Sequence, residues 1–126
     1  GALEMDVEET SDPLFIGQET ECLVTIINRD LRPVHDLQVT AHVPSLFRIL
    51  SHEVREGTNV LPIPARVEGS TVKFDPVDLL APDGELSFRI QAKALRAGTE
   101  TFQIEVTSDE ETVGPIRLEE ISTVAK

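Results

Sequence analysis

The chain has 126 residues, 40% of them hydrophobic, which suits one domain with its own apolar core and argues against a disordered tail. It carries 23 acidic and 11 basic residues, a formal charge of −12. That charge repels phosphate backbones and anionic membrane surfaces, and 4% aromatics leave little to stack bases, so nucleic acid is excluded as a partner.

Cys22 is the sole cysteine and cannot form an internal disulfide. No run of 18 apolar residues is present, so membrane insertion by a helix is not expected. Gly1-Ala2-Leu3-Glu4 has neither the basic start nor the apolar run of a signal peptide, and Gly1-Ala2 reads as a cloning remnant. The remaining residues, 3–124, are expected to form a single module.

The first element is "LEMDVEE", which alternates Leu3, Met5 and Val7 with Glu4, Asp6 and Glu8. Period two predicts a strand with one buried face. Ser11-Asp12-Pro13 marks a turn, and Gly17 permits the backbone to swing into the next strand. There Thr20, Cys22, Val24 and Ile26 share the inward face, while Leu23 and Ile27 need cover from elsewhere. Asn28-Arg29-Asp30 closes this strand, with the Asn28 side chain expected to bond nearby backbone.

"DLQVTAHVP" turns Leu37, Val39, Ala41 and Val43 inward and His42 outward, and Pro44 ends it. "NVLPIPARV" carries Pro62 and Pro64 and is expected to be an edge segment or a long loop. Val72 and Phe74 mark another strand, followed by a tight connection at Pro82-Asp83-Gly84 that returns the chain between sheets. The last third is the most regular. Leu86, Phe88, Ile90 and Ala92 face in on one strand, and Phe102, Ile104 and Val106 on the next. Ile116 and Leu118 continue the pattern, but the step to Ile121 breaks period two, which predicts a bulge or the end of pairing there.

Seven to eight strands with frequent turn signals and no helical periodicity predict an all-β, immunoglobulin-like antiparallel β-sandwich. The antibody hallmarks, a tryptophan and a cysteine pair, are missing, and with no tyrosine there is no tyrosine corner.

Catalysis finds little support. His35, Asp36, His42, Ser45, Ser51 and His52 are the raw material for a Ser-His-Asp arrangement, but proximity in sequence supplies no geometry, and no Gly-x-Ser-x-Gly elbow occurs. No catalytic residue and no cofactor is therefore assigned. Three scattered histidines and one cysteine lack the spacing of a transition-metal site. Calcium needs six to eight oxygens, often from loops, and Asp109, Glu110 and Glu111 at a strand exit are the first candidates. Sugar binding calls for exposed aromatic platforms, for which Phe15 and Phe47 are the candidates.

The order Asp12-Pro13, Gly17, alternating strand, Asn28, then "HVP" and "SLF", resembles the bacterial conserved-repeat domain, long classed as a domain of unknown function. "LLAPDGELSFRIQAKALRAGTETFQIEVTSD" is similar to that family's second half, with Asp83 inserted into its Pro-Gly turn, and "PIRLEEISTV" to its exit strand. The cell-adhesion-related domain of bacteria is a cousin with the same kind of fold. The resemblance implies a non-catalytic spacer or adhesion-related module, monomeric, in a larger extracellular or cell-envelope protein. Its partners would be neighbouring repeats of the same chain. Two other readings stand beside it: a protein-binding module that uses an exposed edge strand, and a calcium-stabilised linker.

Overall fold

A computed structural model describes residues 3–109 and 115–126. In chain order the strands are β1 (Leu3–Glu9), β2 (Leu14–Phe15), β3 (Glu19–Asn28), β4 (Val34–His42), β5 (Phe47–Glu56) and β6 (Asn59–Leu61). They continue as β7 (Ala65–Glu68), β8 (Thr71–Phe74), β9 (Val77–Leu80), β10 (Glu85–Ala94), β11 (Gly98–Thr107) and β12 (Ile116–Ala125). One sheet has the order β1-β3-β10-β5-β6. The other runs β2-β12-β11-β4-β8-β7, and β9 also pairs with β4. All pairings are antiparallel except β2 with β12. The result is the expected immunoglobulin-like sandwich. Among the described residues it has twelve strand segments rather than seven or eight, because β2, β6, β7 and β9 are short pieces that flank irregular connections.

The inward sets lie where period two puts them. Thr20, Cys22, Val24 and Ile26 on β3 are buried, as are Leu86, Phe88, Ile90 and Ala92 on β10. The facing sheet contributes Leu37, Val39 and Ala41 from β4 and Phe102, Ile104 and Val106 from β11. Each large apolar side chain among them stabilises the fold by about 1.5–3 kcal/mol. Phe74 and Phe88 meet edge to face across the two sheets, with ring centroids 5.2 Å apart. Phe47 and Phe102 make a second contact at 5.4 Å.

Two local expectations change. β12 pairs with β11 in unbroken register from Ile116 to Val124, so Ile121 marks neither a bulge nor an end of pairing. Ile121 simply faces out, and Glu120 and Ser122 take the inward positions. The bulge falls on β5 instead, where Ser51 opposes Gln91 and Ile49 opposes Ala92, leaving Leu50 as the extra residue. His52 belongs to β5, paired with Ile90, and meets Phe74 edge to face at 5.9 Å. Leu23 and Ile27 are half-buried without another layer above them. Their register partners are Glu8 and Arg89 for Leu23 and Glu4 and Glu85 for Ile27.

The proline-rich middle is an edge, as expected. β6 closes the first sheet and β7 the second, joined across Pro62 and Pro64. On the opposite flank lies β1, then the Ser11–Pro13 crossover that carries the chain from the first sheet into β2 of the second. Asp12 secures this crossover by accepting the Thr123 N–H at 2.9 Å.

Registers fix the polarity. Leu3 opposes Asn28, and β1 then runs toward the end of the sandwich where β2 lies parallel to the end of β12. The first strand therefore begins at one pole and the last strand ends at the other.

Candidate functional site

The histidines expected from a hydrolytic reading do not converge. His35 lies near the start of β4 and His42 closes it, about 23 Å apart at strand rise. His42 Nδ1 lies 3.2 Å from Thr71 Oγ1 and its Nε2 3.9 Å from a Glu105 carboxylate oxygen, on the outer face. His52 sits in the other sheet against Phe74. Ser45 donates to the Glu100 carboxylate at 3.2 Å, and Ser51 lies on the outer face of β5. The candidate serines, histidines and Asp36 form no Ser-His-Asp arrangement among the described residues; His42 meets Thr71 and Glu105 instead.

Of the calcium candidates, Glu110 and Glu111 lie outside the described residues. Asp109 is already engaged: its Oδ1 accepts the His35 N–H at 2.9 Å, and its own N–H donates to His35 O at 3.0 Å. This reciprocal pair ties the exit of β11 to the start of β4. Among the described residues, no group of three or more His, Cys, Asp or Glu side chains is placed to hold a metal ion. Of the aromatic candidates, Phe15 is 55% exposed, whereas Phe47 is 6% exposed and belongs to the core.

The pole where β1 begins is built by Asn28, which is fully buried. Its Nδ2 donates to Arg32 O at 2.9 Å and to Leu80 O at 3.0 Å, while its Oδ1 accepts the Asp30 N–H at 2.9 Å. Its backbone closes on the Pro82–Gly84 turn: Asp83 N–H donates to Asn28 O, and Asn28 N–H to Gly84 O. Asp83 adopts φ 61°, a left-handed conformation that aspartate tolerates in turns. Both turn motifs thus have structural partners that account for them.

A shallow depression of about 300 Å³ lies on the outer face of β3, β10 and β5, bordered by Glu21, Ser51, Glu53, Arg55, Arg89 and Gln91. Arg89 pairs with Glu21 at 3.0 Å and Arg55 with Glu53, so its charges compensate one another across and along the strands.

The least conventional feature lies on the flank between β1 and β12. Glu9 ends β1 on the inward parity, opposite Cys22. Both of its carboxylate oxygens are shut off from solvent, and neither has a hydrogen-bond partner among the described residues. Ser122, 0% exposed, likewise has an unpartnered Oγ. Burial pushes the Glu9 carboxyl above its usual pKa. The hydroxyls of Ser122 and Thr20 stand near enough to pull it partly back, without a well-formed hydrogen bond, and the charges of Asp12 and Glu120 push it further up. Burial, with help from Glu9, Glu120 and Glu21, raises the Cys22 thiol to about 12. By composition alone Glu9 is one more acid in a solvated cluster. The signal that sets it apart is parity: counting by two from Leu3 through Met5 and Val7 arrives at Glu9, a charge on the buried face.

No family model matches the chain, and no curated protein matches it. Its fold is found among solved structures. A cohesin module from a Clostridium perfringens ATCC13124 family 33 glycoside hydrolase superposes with TM-score 0.70 at 12% identity, covering 98% of this chain and 96% of that one. The bacterial hydrophobin BslA gives TM-score 0.62 at 20% identity, covering 99% and 95%. The N-terminal domain of the Streptococcus gordonii adhesin Sgo0707 gives 0.68 at 10% identity, covering 98% of this chain and 32% of that one. The chain thus spans about a third of the adhesin structure. What these comparisons share with the chain is the sandwich itself.

Proposed function

We propose that the chain is a non-catalytic structural or adhesion-related module of a larger extracellular or cell-envelope protein, acting as a stiff, chainable spacer. The observation that carries this reading is the polarity of the fold: β1 begins at one pole and β12 ends at the other. Tension applied between them runs along the strands, so the β1–β3 and β12–β11 ladders resist it in shear, many hydrogen bonds at once. The likeness to adhesin, pilin and cohesin modules supports the reading, as does the dispersal of the candidate catalytic residues. Neighbouring modules of the same chain are the natural partners.

The test is force spectroscopy on an array of copies joined pole to pole. Each module should yield in one discrete event that releases roughly 390 Å of chain, from about 3.5 Å per extended residue less the folded span. Extension with no discrete events refutes the spacer reading.

A second reading, a protein-binding module, draws on the free edges of β6 and β7 and on Val60 and Val67, which are exposed there. A partner strand would add to β7 by β-augmentation. Replacing residues 59–67 by a Gly-Ser loop should abolish capture of such a partner and leave the force response of the remaining strands in place.

A further inference from the structure

We infer that Glu9 is a proton-operated latch on the first strand: ionised, it loosens β1 from the sandwich, and protonated, it lets β1 seat against β12. β1 is an edge strand paired only with β3, and its inward residues Leu3, Met5 and Val7 are only partly buried, whereas those of β3 are fully buried. β1 is therefore held by less packing than the strand beside it, and packing sets local opening. At its end the chain must cross from one sheet to the other, and there it places a carboxylate with no donor on either oxygen.

The groups that face Glu9 come from each element around it. They are Thr20 and Cys22 on β3, Asp12 in the crossover, and Glu120 and Ser122 on β12. The charged members are acidic, so an ionised Glu9 meets repulsion as well as dehydration. Thr20 is already committed, donating its hydroxyl to Ser11 O at 3.2 Å. Ser122 Oγ is fully buried and unpartnered. A protonated Glu9 has an O–H to give and a carbonyl oxygen to receive, which matches the unused hydroxyl beside it. An ionised Glu9 can only accept, and its second oxygen remains without a donor.

The direction follows. The folded pKa lies above the unfolded one, so the seating energy is fully present below the unfolded value and is lost as pH rises through the folded value. At neutral pH the first strand opens more readily and uncovers the β3 edge and Cys22. In a chained module this places a pH-dependent joint on the strand that receives the load.

Cys22 provides the readout, being the sole thiol, buried, and the register partner of Glu9. Its modification by an uncharged disulfide reagent, 4,4′-dithiodipyridine, is followed from pH 5 to 8 in the native protein and in Glu9→Gln. Reaction passes through the opened strand, where Glu9 no longer faces Cys22, so the intrinsic thiol chemistry cancels in the ratio of the two rates. We expect the wild-type to variant ratio to be climbing already at pH 5, because the unfolded carboxyl titrates near 4.5, and to level off above the folded value, the whole rise being about tenfold for each unit of carboxyl elevation. A ratio that stays constant across the range overturns the latch. Should Glu9→Gln fail to fold, amide protection factors in the native chain decide. Protection lost on going from pH 5 to 7.5 in β1 and along its β3 edge, but not in β10 or β11, supports the latch. Protection that changes uniformly or not at all refutes it.

Discussion

Replacing Asn28 with alanine removes three hydrogen bonds in a fully buried position. Two are donated to the carbonyls of Arg32 and Leu80, which belong to different stretches of chain, and one is accepted from Asp30. Each is worth about 0.5–1.5 kcal/mol net, and a buried carbonyl left without its donor costs about 1–3 kcal/mol more. Leu80 O is that carbonyl, lying in the interior at the end of β9. The total comes to about 2.5–7.5 kcal/mol, or a fall of roughly 10 °C or more in Tm for a domain of this size. Asn28→Asp sharpens the test. It keeps the shape and the acceptor for the Asp30 N–H but aims a carboxylate at two carbonyls. Its loss at pH 7 should equal or exceed that of Asn28→Ala, and acidification should recover part of it as the protonated acid regains one donor. Thermal and urea unfolding of both variants at pH 7 and pH 4 measures this. A cost below about 1 kcal/mol for Asn28→Ala, or an Asn28→Asp variant as stable as the wild type at pH 7, refutes the reasoning.

Other outcomes follow from the same packing. In Gly84→Ala the new Cβ would stand 2.9 Å from both Ala81 O and Leu80 Cδ1, and the carbonyl is backbone that cannot swing away. A loss of about 1–3 kcal/mol in urea unfolding is expected. Phe102→Ala deletes a fully buried ring that contacts Phe47 and should cost about 3–5 kcal/mol by the same assay. Cys22, with its thiol raised to about 12 against a reference of 9.0, holds about a thousandfold less thiolate at pH 8 than the unfolded chain. Its modification should therefore be very slow until denaturant is added, as absorbance on reagent release would show. For Asp109, whose Oδ1 serves the His35 N–H, thermal melts in calcium and in chelator should superimpose. Asp109→Ala should lower stability by about 1 kcal/mol in either condition.

The central strands were legible because both of their neighbours are strands and one face lies fully in the core. On β3, β4, β10 and β11 that arrangement writes a clean period of two, and every inward residue named on them is buried. Legibility fails at the rim. On β12 the inward positions pass from Leu118 to Glu120 and Ser122, so an apolar count jumps to Ile121, which faces out at 61% exposure. Ser122 is polar yet 0% exposed, so on this strand polarity stops reporting direction. His52 is unreadable for the opposite reason, as a polar ring that packs against an aromatic neighbour. The Glu9 seam was legible by parity alone, but its burial depends on β12 arriving across the other sheet, about 110 residues later in the chain.

The choice between spacer and binding module turns on how the flanks are guarded. An unprotected sheet edge invites another strand. The β1 edge carries Glu4, Asp6 and Glu8 outward and Glu9 inward, so a second acidic chain is repelled along its whole length. The β6–β7 edge is short on both sides and broken by Pro62 and Pro64, which cannot donate to a ladder. Both devices oppose lateral pairing of copies that each carry a charge of −12. The poles are guarded differently. The upper one is stitched by Asn28 and the Pro82–Gly84 turn into a firm end, and the lower one brings Ile16 to within hydrogen-bond distance of the end of β12. Sides that discourage contact and ends that are stitched firmly are what the proposed spacer role calls for. β7, with Val67 exposed between Arg66 and Glu68, is the remaining point of lateral attachment and the place where a binding reading has to be won or lost.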